Sequence, residues 1–129
     1  MLLIAAAVLL IIIIVSILTI NWKKEDKIKI GLIITGATTD EGWNGMHYQG
    51  VSSACKELGV ELIVKENVAE GSGQCEIAID ELVKEDVGMI ILSSYAYPEE
   101  VQETVQKYPQ VSFYGISAEY GAENMTSYF

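Results

Sequence analysis

The sequence predicts an α/β fold, a doubly wound parallel sheet in which strands and helices alternate along the chain. Three observations predict it. Short runs rich in Ile, Val and Leu recur from Ile28 to Phe129. Stretches with apolar residues at helical spacing separate the first four of them. Right-handed crossovers of this length bring each strand back parallel to the last.

The elements follow in order. Ile28 to Ile34 (IKIGLII) is a β-rich run that ends at the loop TGATTDEG. Asn44 to Leu58 reads as a helix, with His47, Val51, Ala54, Cys55 and Leu58 on one face and Gly59 in the usual terminating position. Val60 to Val64 is a second strand, and Ser72 to Lys84 a second helix with Ile79, Leu82 and Val83 inward. Gly88 to Leu92 (GMIIL) is a continuous apolar run, of the kind buried on both faces of a parallel sheet. Pro98 at a first helical position, followed by Glu99 and Glu100, opens a third helix to about Lys107, since the fixed proline φ and the helix dipole both favour this order. Val111 to Ile116 is a fourth strand and Met125 to Phe129 a fifth.

Length and charge bound the function. The chain has 129 residues, enough for one domain. Residues 2–20 (LLIAAAVLLIIIIVSILTI) are apolar apart from Ser16 and Thr19. Nineteen helical residues rising about 1.5 Å each span about 28 Å, close to the hydrocarbon core of a bilayer. Residues 1–21 are therefore expected to be a membrane anchor or uncleaved signal segment, because no small-x-small pair and no cysteine follows the apolar run. Residues 22–29 form a charged linker and residues 30–129 the folded lobe. Lys23 and Lys24 would hold the carboxyl side of the anchor in the cytoplasm by the positive-inside tendency.

From Ile30 onward, 4 Lys stand against 16 Asp and Glu, a net charge of −12. Phosphate neutralisation needs clustered positive charge, so a nucleic-acid surface is excluded and an anionic ligand is disfavoured. Cys55 and Cys75 each fall within a helical pattern and read as small buried hydrophobes, with a disulfide between them unsupported by spacing. His47, the single histidine, has no carboxylate or cysteine spaced to complete a metal set, and reads as a packed helix residue. No Ser/His/Asp or Cys/His arrangement suggests a nucleophile, and the Gly71–Gly73 GSG lacks the Lys-Ser/Thr of a phosphate loop. No enzyme activity, metal or cofactor is expected.

In an open α/β sheet, ligands gather outside the carboxyl ends of the strands where strand order reverses. Three loops then matter: Thr35–Trp43, Ser93–Tyr97 and Ser117–Asn124. In the first, Thr38, Thr39 and Asp40 are placed to cap a helix, Gly42 lets the chain turn, and Trp43 and Asn44 project from the first helical turn. An indole there would stack on a ring while Asp40 and Asn44 hydrogen-bond to hydroxyls; half-buried packing of Trp43 and a purely capping Asp40 are the alternatives. Ser93, Ser94, Tyr95 and Tyr97 add hydroxyls and rings to the second loop. Asn124-Met125-Thr126 matches a glycosylation sequon, a pattern common by chance.

KIGLIITGATTDEGWNGMHYQG, ELGVELIVKENV, GMIILSSYAY, YPQVSFYGIS and ENMTSYF, taken in order, resemble the BMP (basic membrane protein) family, the substrate-binding proteins of ABC importers typified by purine-nucleoside-binding lipoproteins. The resemblance runs from about Lys27 to Phe129. Its most specific piece is the D-x-G-aromatic-N loop with the Tyr-x-Gly helix: Asp40, Gly42, Trp43, Asn44, Tyr48 and Gly50.

The resemblance implies the first lobe of a type I periplasmic-binding-protein fold, two such lobes closing over a nucleoside-like small molecule. It implies an extracytoplasmic lobe at the cell membrane, held by residues 2–20 and serving an ABC permease and ATPase. By the same resemblance, Trp43 would stack on a nucleobase, Asn44 and Asp40 would bind nearby polar groups, and Ser93, Ser94 and Tyr95 would face the ribose. Two positions depart from the family: Trp43 stands where Phe is usual, and Ser117 where Asp commonly follows the fourth strand. The second lobe's contacts lie outside this stretch, so high affinity is not expected of it alone. A membrane-anchored sensor or regulatory module of the same fold is the alternative function.

Overall fold

Strands β1 (Lys29–Ile34), β2 (Glu61–Lys65), β3 (Met89–Ser93), β4 (Ser112–Ile116) and β5 (Met125–Tyr128) pair in parallel in the order β2-β1-β3-β4-β5. This is a computed structural model, and it describes residues 28–129. The membrane segment expected at residues 2–20 and most of the charged linker lie outside the described residues. Among those described, no helix is long and apolar enough to cross a membrane.

The period-two alternation of each strand divides the side chains between two layers of helix. On one face, Ile33 of β1, Ile90 and Leu92 of β3, Phe113 of β4 and Met125 of β5 join the buried side chains of helix α2 (Gln74–Lys84). Tyr97, Val101 and Val105, carried by the short helices α3 (Tyr97–Glu100) and α4 (Gln102–Gln106) and the residue between them, complete that core. Ile33, Ile79, Leu82, Ile90 and Leu92 are 0% exposed. Each such side chain contributes about 1.5–3 kcal/mol, so this layer holds most of the fold's hydrophobic stabilisation. On the other face, Leu32 and Ile34 are buried beneath α1 (Trp43–Leu58), which packs on β1 and β2. The doubly wound arrangement expected from the sequence is present.

Three details of the expected pattern differ. The third helix breaks at Val101 (φ −97°, ψ 13°) into α3 and α4. Val101 still donates its N–H to Tyr97 O, and Val105 donates to Val101 O, so the chain shifts by a bend while Tyr97, Val101 and Val105 all stay buried. Leu58, expected on the inner face of α1, is 73% exposed. The floor under α1 is only partial, because the residues of edge strand β2 are themselves half-buried or exposed. The GMIIL run is not buried on both faces: Ile90 and Leu92 are covered, but Met89 is 36% exposed and Ile91 half-buried, because α1 packs mainly on β1 and β2 and meets β3 at Ser93, beyond the run. Gly59 ends α1 as expected, in the left-handed conformation (φ 69°) that a side chain would oppose.

The link between β4 and β5 contains no helix, only residues 117–124. It is held at its end by one side chain. Asn124 Nδ2 donates to the carbonyls of Val105, Tyr108 and Val111 at 2.9, 3.0 and 3.1 Å, while its own carbonyl accepts the N–H of Phe113 at 2.8 Å. The sequon-like Asn124-Met125-Thr126 therefore carries a structural amide.

Asn124→Ala leaves these carbonyls short of donors and is expected to cost about 1–3 kcal/mol, the penalty for unsatisfied buried groups. Asn124→Asp, which points a carboxylate at three carbonyl oxygens, should cost more. Urea unfolding of the two variants beside the parent chain reads both values.

Candidate functional site

With strand order β2-β1-β3-β4-β5, the chain reverses direction across the sheet between β1 and β3. The crevice outside the carboxyl ends of those two strands is where such sheets hold ligands. The loop leaving β1 is built around one carboxylate. Asp40 Oδ1 accepts the N–H of Gly42 at 3.0 Å and of Gly45 at 2.7 Å, and Oδ2 accepts Asn44 Nδ2–H at 2.7 Å. Of the three residues expected to cap α1, Asp40 is the one that does so. The N–H of Gly45 first, then the Asn44 amide and the other loop N–H groups, hold its carboxyl below the ordinary carboxylate range. Thr38 instead gives its N–H to Glu66 Oε1 at 2.5 Å.

Asn44 is buried, and its Oδ1 accepts Thr35 Oγ1–H at 3.1 Å, so its side chain ties the end of β1 to the cap. Gly45 has a close-approach reason to be glycine. A Cβ there would lie 1.9 Å from the Asp40 carbonyl oxygen, which is backbone and has no rotamer to escape into.

This loop sets Trp43 at the first position of α1, 46% exposed at the mouth of the crevice. Its indole Nε1–H crosses to β3 and donates to Ser93 O at 3.0 Å. Its ring stands edge-on to His47, centroids 4.2 Å apart at 89°. Ser93 is fully buried, with Oγ 2.7 Å from His47 Nδ1. Desolvation lowers the pKa of His47, which keeps the imidazole neutral at pH 7.

The remaining expected positions lie around this pair. Ser94 is buried, and its hydroxyl donates to Glu70 Oε1. Tyr95 is 61% exposed, with its ring 6.3 Å from that of Phe129. Ser117 is half-buried just past β4 and holds a left-handed backbone (φ 55°), a strained conformation for a serine. Trp43 and Ser93 are brought into direct contact; Asp40 and Asn44 bond one another in the same loop; Ser94 and Tyr95 continue from β3; Ser117 stands apart at the next strand.

Tyr97, expected to line the same loop, does not. It is 0% exposed and its hydroxyl donates to Val68 O at 2.5 Å, because the large ring fills the core beside Val101 and Val105. Sequence reasoning missed the loop after β2. Glu66 and Glu70 from that loop reach the first and second loops through Thr38 and Ser94. The GSG of the same loop does receive an anion, but from within the chain: Gly71 and Gly73 give their N–H groups to the Glu100 carboxylate at 2.9 and 3.3 Å. Two glutamates, Glu66 and Glu70, in the loop directly after a strand were the available signal.

Chemically the site is a flat aromatic surface among neutral and negative groups. The four loops at the carboxyl edge (35–43, 66–73, 94–97 and 117–124) carry Asp40, Glu41, Glu66, Glu70, Glu119 and Glu123 and no Lys or Arg. Cys55 and Cys75 are buried and unpaired, and burial raises both thiols above their ordinary range, so neither is a ready nucleophile. Among the described residues no group of three or more His, Cys, Asp or Glu could hold a metal ion.

Residues 27–129 match the family described as ABC transporter substrate-binding protein, PnrA-like, and the chain belongs to that family. It is 32% identical over 106 residues to a purine-binding protein of Brucella abortus, an alignment covering 81% of this chain and 30% of that protein. The chain thus spans about a third of the length of that curated relative. A transcriptional activator of the comK gene from Bacillus halodurans superimposes with a TM-score of 0.65 at 28% identity, over 78% of this chain and 33% of that one. An ABC transporter solute-binding protein from Conexibacter woesei superimposes with a TM-score of 0.64 over 78% of this chain and 34% of that one, at 17% identity, a likeness of fold alone.

Two outcomes test the loop. Gly45→Ala should destabilise the chain by about 1–3 kcal/mol, the range for forced overpacking, and should shift the Trp43 emission. Asp40→Ala should lower the melting temperature at neutral pH. Because the folded-state pKa of Asp40 is depressed, its contribution is fully present above the unfolded value of about 3.9 and is lost as pH falls through the folded value. The melting curves of Asp40→Ala and the parent chain should therefore converge on acidification below about pH 4.

Proposed function

Taking membership of the ABC transporter substrate-binding family as the premise, we propose that this chain forms the ligand-binding lobe of an extracytoplasmic solute-binding component of an ABC importer, with a purine base or nucleoside as its ligand. The observation that carries this reading is Trp43. A large ring stands half-exposed at the β1/β3 switch point, with its N–H already bonded to Ser93 O and its orientation thereby set. Base–aromatic stacking contributes about 1–3 kcal/mol per base and requires only an accessible flat face.

Charge supports the same class. A carboxyl edge with six acidic residues and no basic one suits an uncharged base or nucleoside and opposes a phosphorylated one. The purine-binding protein of Brucella abortus, 32% identical over the matched region, supports a purine in particular. In this proposal Tyr95 offers its hydroxyl to a ribose and Ser117 approaches from β4, while Ser93 and Ser94, whose buried hydroxyls are taken by His47 and Glu70, line the loop beneath it. Asp40 and Asn44 are also proposed to reach polar groups of the ligand; they bond each other, and Asn44 bonds Thr35, so any such contact uses what the cap leaves over.

Solutes are delivered to a permease and its ATPase by the whole protein, anchored through residues 2–20. The clamshell partner lobe, the transporter subunits and the extracytoplasmic placement belong to this proposal.

Trp43→Ala should weaken adenosine binding by about 1–3 kcal/mol, and Trp43→Phe by less, since the smaller ring still stacks. Isothermal titration calorimetry on the chain joined to a second lobe measures both; equal affinity for the parent and Trp43→Ala would remove Trp43 from the site. Adenosine monophosphate should bind more weakly than adenosine in the same experiment.

A further inference from the structure

The indole of Trp43 is held by a circuit that stacking alone does not need. Its Nε1–H donates to Ser93 O at 3.0 Å, its ring meets the His47 ring edge-on at 4.2 Å, and His47 Nδ1 lies 2.7 Å from Ser93 Oγ. Ser93 therefore contacts the indole through its carbonyl and the imidazole through its hydroxyl. We infer that His47 and Ser93 are positioning residues that hold the Trp43 ring as a preformed platform for a ligand, an inference that rests on the stacking role proposed above.

The donor directions follow from satisfiability. Ser93 is 0% exposed, so its hydroxyl hydrogen needs an acceptor within the chain, and His47 Nδ1 is the acceptor within reach. His47 is then the tautomer with its proton on Nε2. Burial, which disfavours the charged imidazolium, keeps it in that neutral form.

The geometry explains why a tryptophan suits this position. Only the indole among the large hydrophobic side chains carries an N–H donor, and here that donor is used across the crevice from α1 to β3. The bond and the edge contact remove the ring's freedom to rotate before any ligand arrives. A ligand that stacks on the remaining face then does not have to order the ring itself. His47, which the sequence shows only as a helix residue, gains a role because one helical turn separates it from Trp43 on the same side of α1.

The test uses the full chain with Trp22→Phe, which leaves Trp43 as its single tryptophan. Two variants break the circuit at different points. Ser93→Ala removes the hydroxyl and keeps the carbonyl; His47→Leu removes the acceptor and keeps bulk. His47→Asn, which can place an amide oxygen near the Nδ1 position, is the conservative rescue. The first readout needs no ligand: fluorescence anisotropy decay of Trp43 and the NMR resonance of its indole N–H. Ser93→Ala and His47→Leu should increase local ring motion and shift that resonance, and His47→Asn should largely restore both, with the melting of each variant followed in parallel.

The second readout is adenosine titration by NMR of the same variants joined to a second lobe. The two circuit-breaking variants should bind about threefold to tenfold more weakly, the fold-change equivalent of one lost hydrogen bond. Unchanged ring motion in a folded Ser93→Ala variant would overturn the positioning role, as would a more mobile ring with unchanged adenosine affinity. Absence of adenosine binding by the parent chain joined to a second lobe, with ring motion responding as expected, would instead overturn the stacking reading on which the inference rests.

Discussion

The site depends on the capping of α1 by the Asp40 carboxylate. A helix begins with N–H groups that have no partner in the helix, and something must accept them. In most helices the accepting side chain stands at the N-cap itself. Here the N-cap is Gly42 and makes no side-chain cap bond; the acceptor comes from two residues earlier, reaching over the turn to Gly42 and Gly45. That reach folds residues 40–45 into a tight knot with no room for a side chain at Gly45. Trp43, inside the knot, points out toward β3 in consequence. The D-x-G-aromatic-N pattern is thus first a piece of structural chemistry and only through it a presentation device.

The two layers of helix divide the work. The layer formed by α2, α3 and α4 contains the large buried side chains and supplies most of the hydrophobic stabilisation. The α1 layer is thinner, with Ala54 and Leu58 exposed and His47 and Val51 only half-buried. Its interactions are correspondingly more polar: Thr35, Asp40, Asn44, His47 and Ser93 form hydrogen bonds where an all-apolar face would be expected. The proposed binding surface lies on the weaker layer, where a ligand would leave the stronger core undisturbed.

Most of the architecture was legible in the sequence because it rests on periodicity. All five strands, α1 and α2 stand within a residue or two of where alternating β-rich and helical patterns put them, and Gly59 ends its helix as its conformational freedom suggests. What escaped has physical reasons. The break at Val101 depends on keeping Tyr97 and Val105 buried together, a demand set by the sheet and invisible to local propensity. Tyr97 looked like a loop residue but went into the core, because a ring with one polar tip can be buried when a carbonyl accepts its hydroxyl, as Val68 O does. Met89 and Ile91 belong to a run apolar enough for burial on both faces, whereas cover on the second face depends on what lies outside the run. The Glu70–Ser94 and Glu100–Gly71 contacts join loops far apart in sequence, and pattern reading has no means to pair them.

His47 shows how a residue's meaning changes between levels. In the sequence it is an isolated imidazole, without the neighbours needed for metal binding or for nucleophile activation. In the fold it lies one turn past Trp43 and opposite Ser93, so that a single neutral ring can accept a buried hydroxyl through Nδ1 and pack against an indole edge at once. An aliphatic side chain could do the packing and an amide could accept the hydrogen bond, but joining both in one planar group suits imidazole. The same reasoning applies to the indole it supports. A phenyl ring would stack as a free rotor held by packing alone, and packing in this thin layer is limited. An N–H directed at the Ser93 carbonyl replaces the missing packing with a directional bond, which is the more effective constraint where few side chains surround the ring.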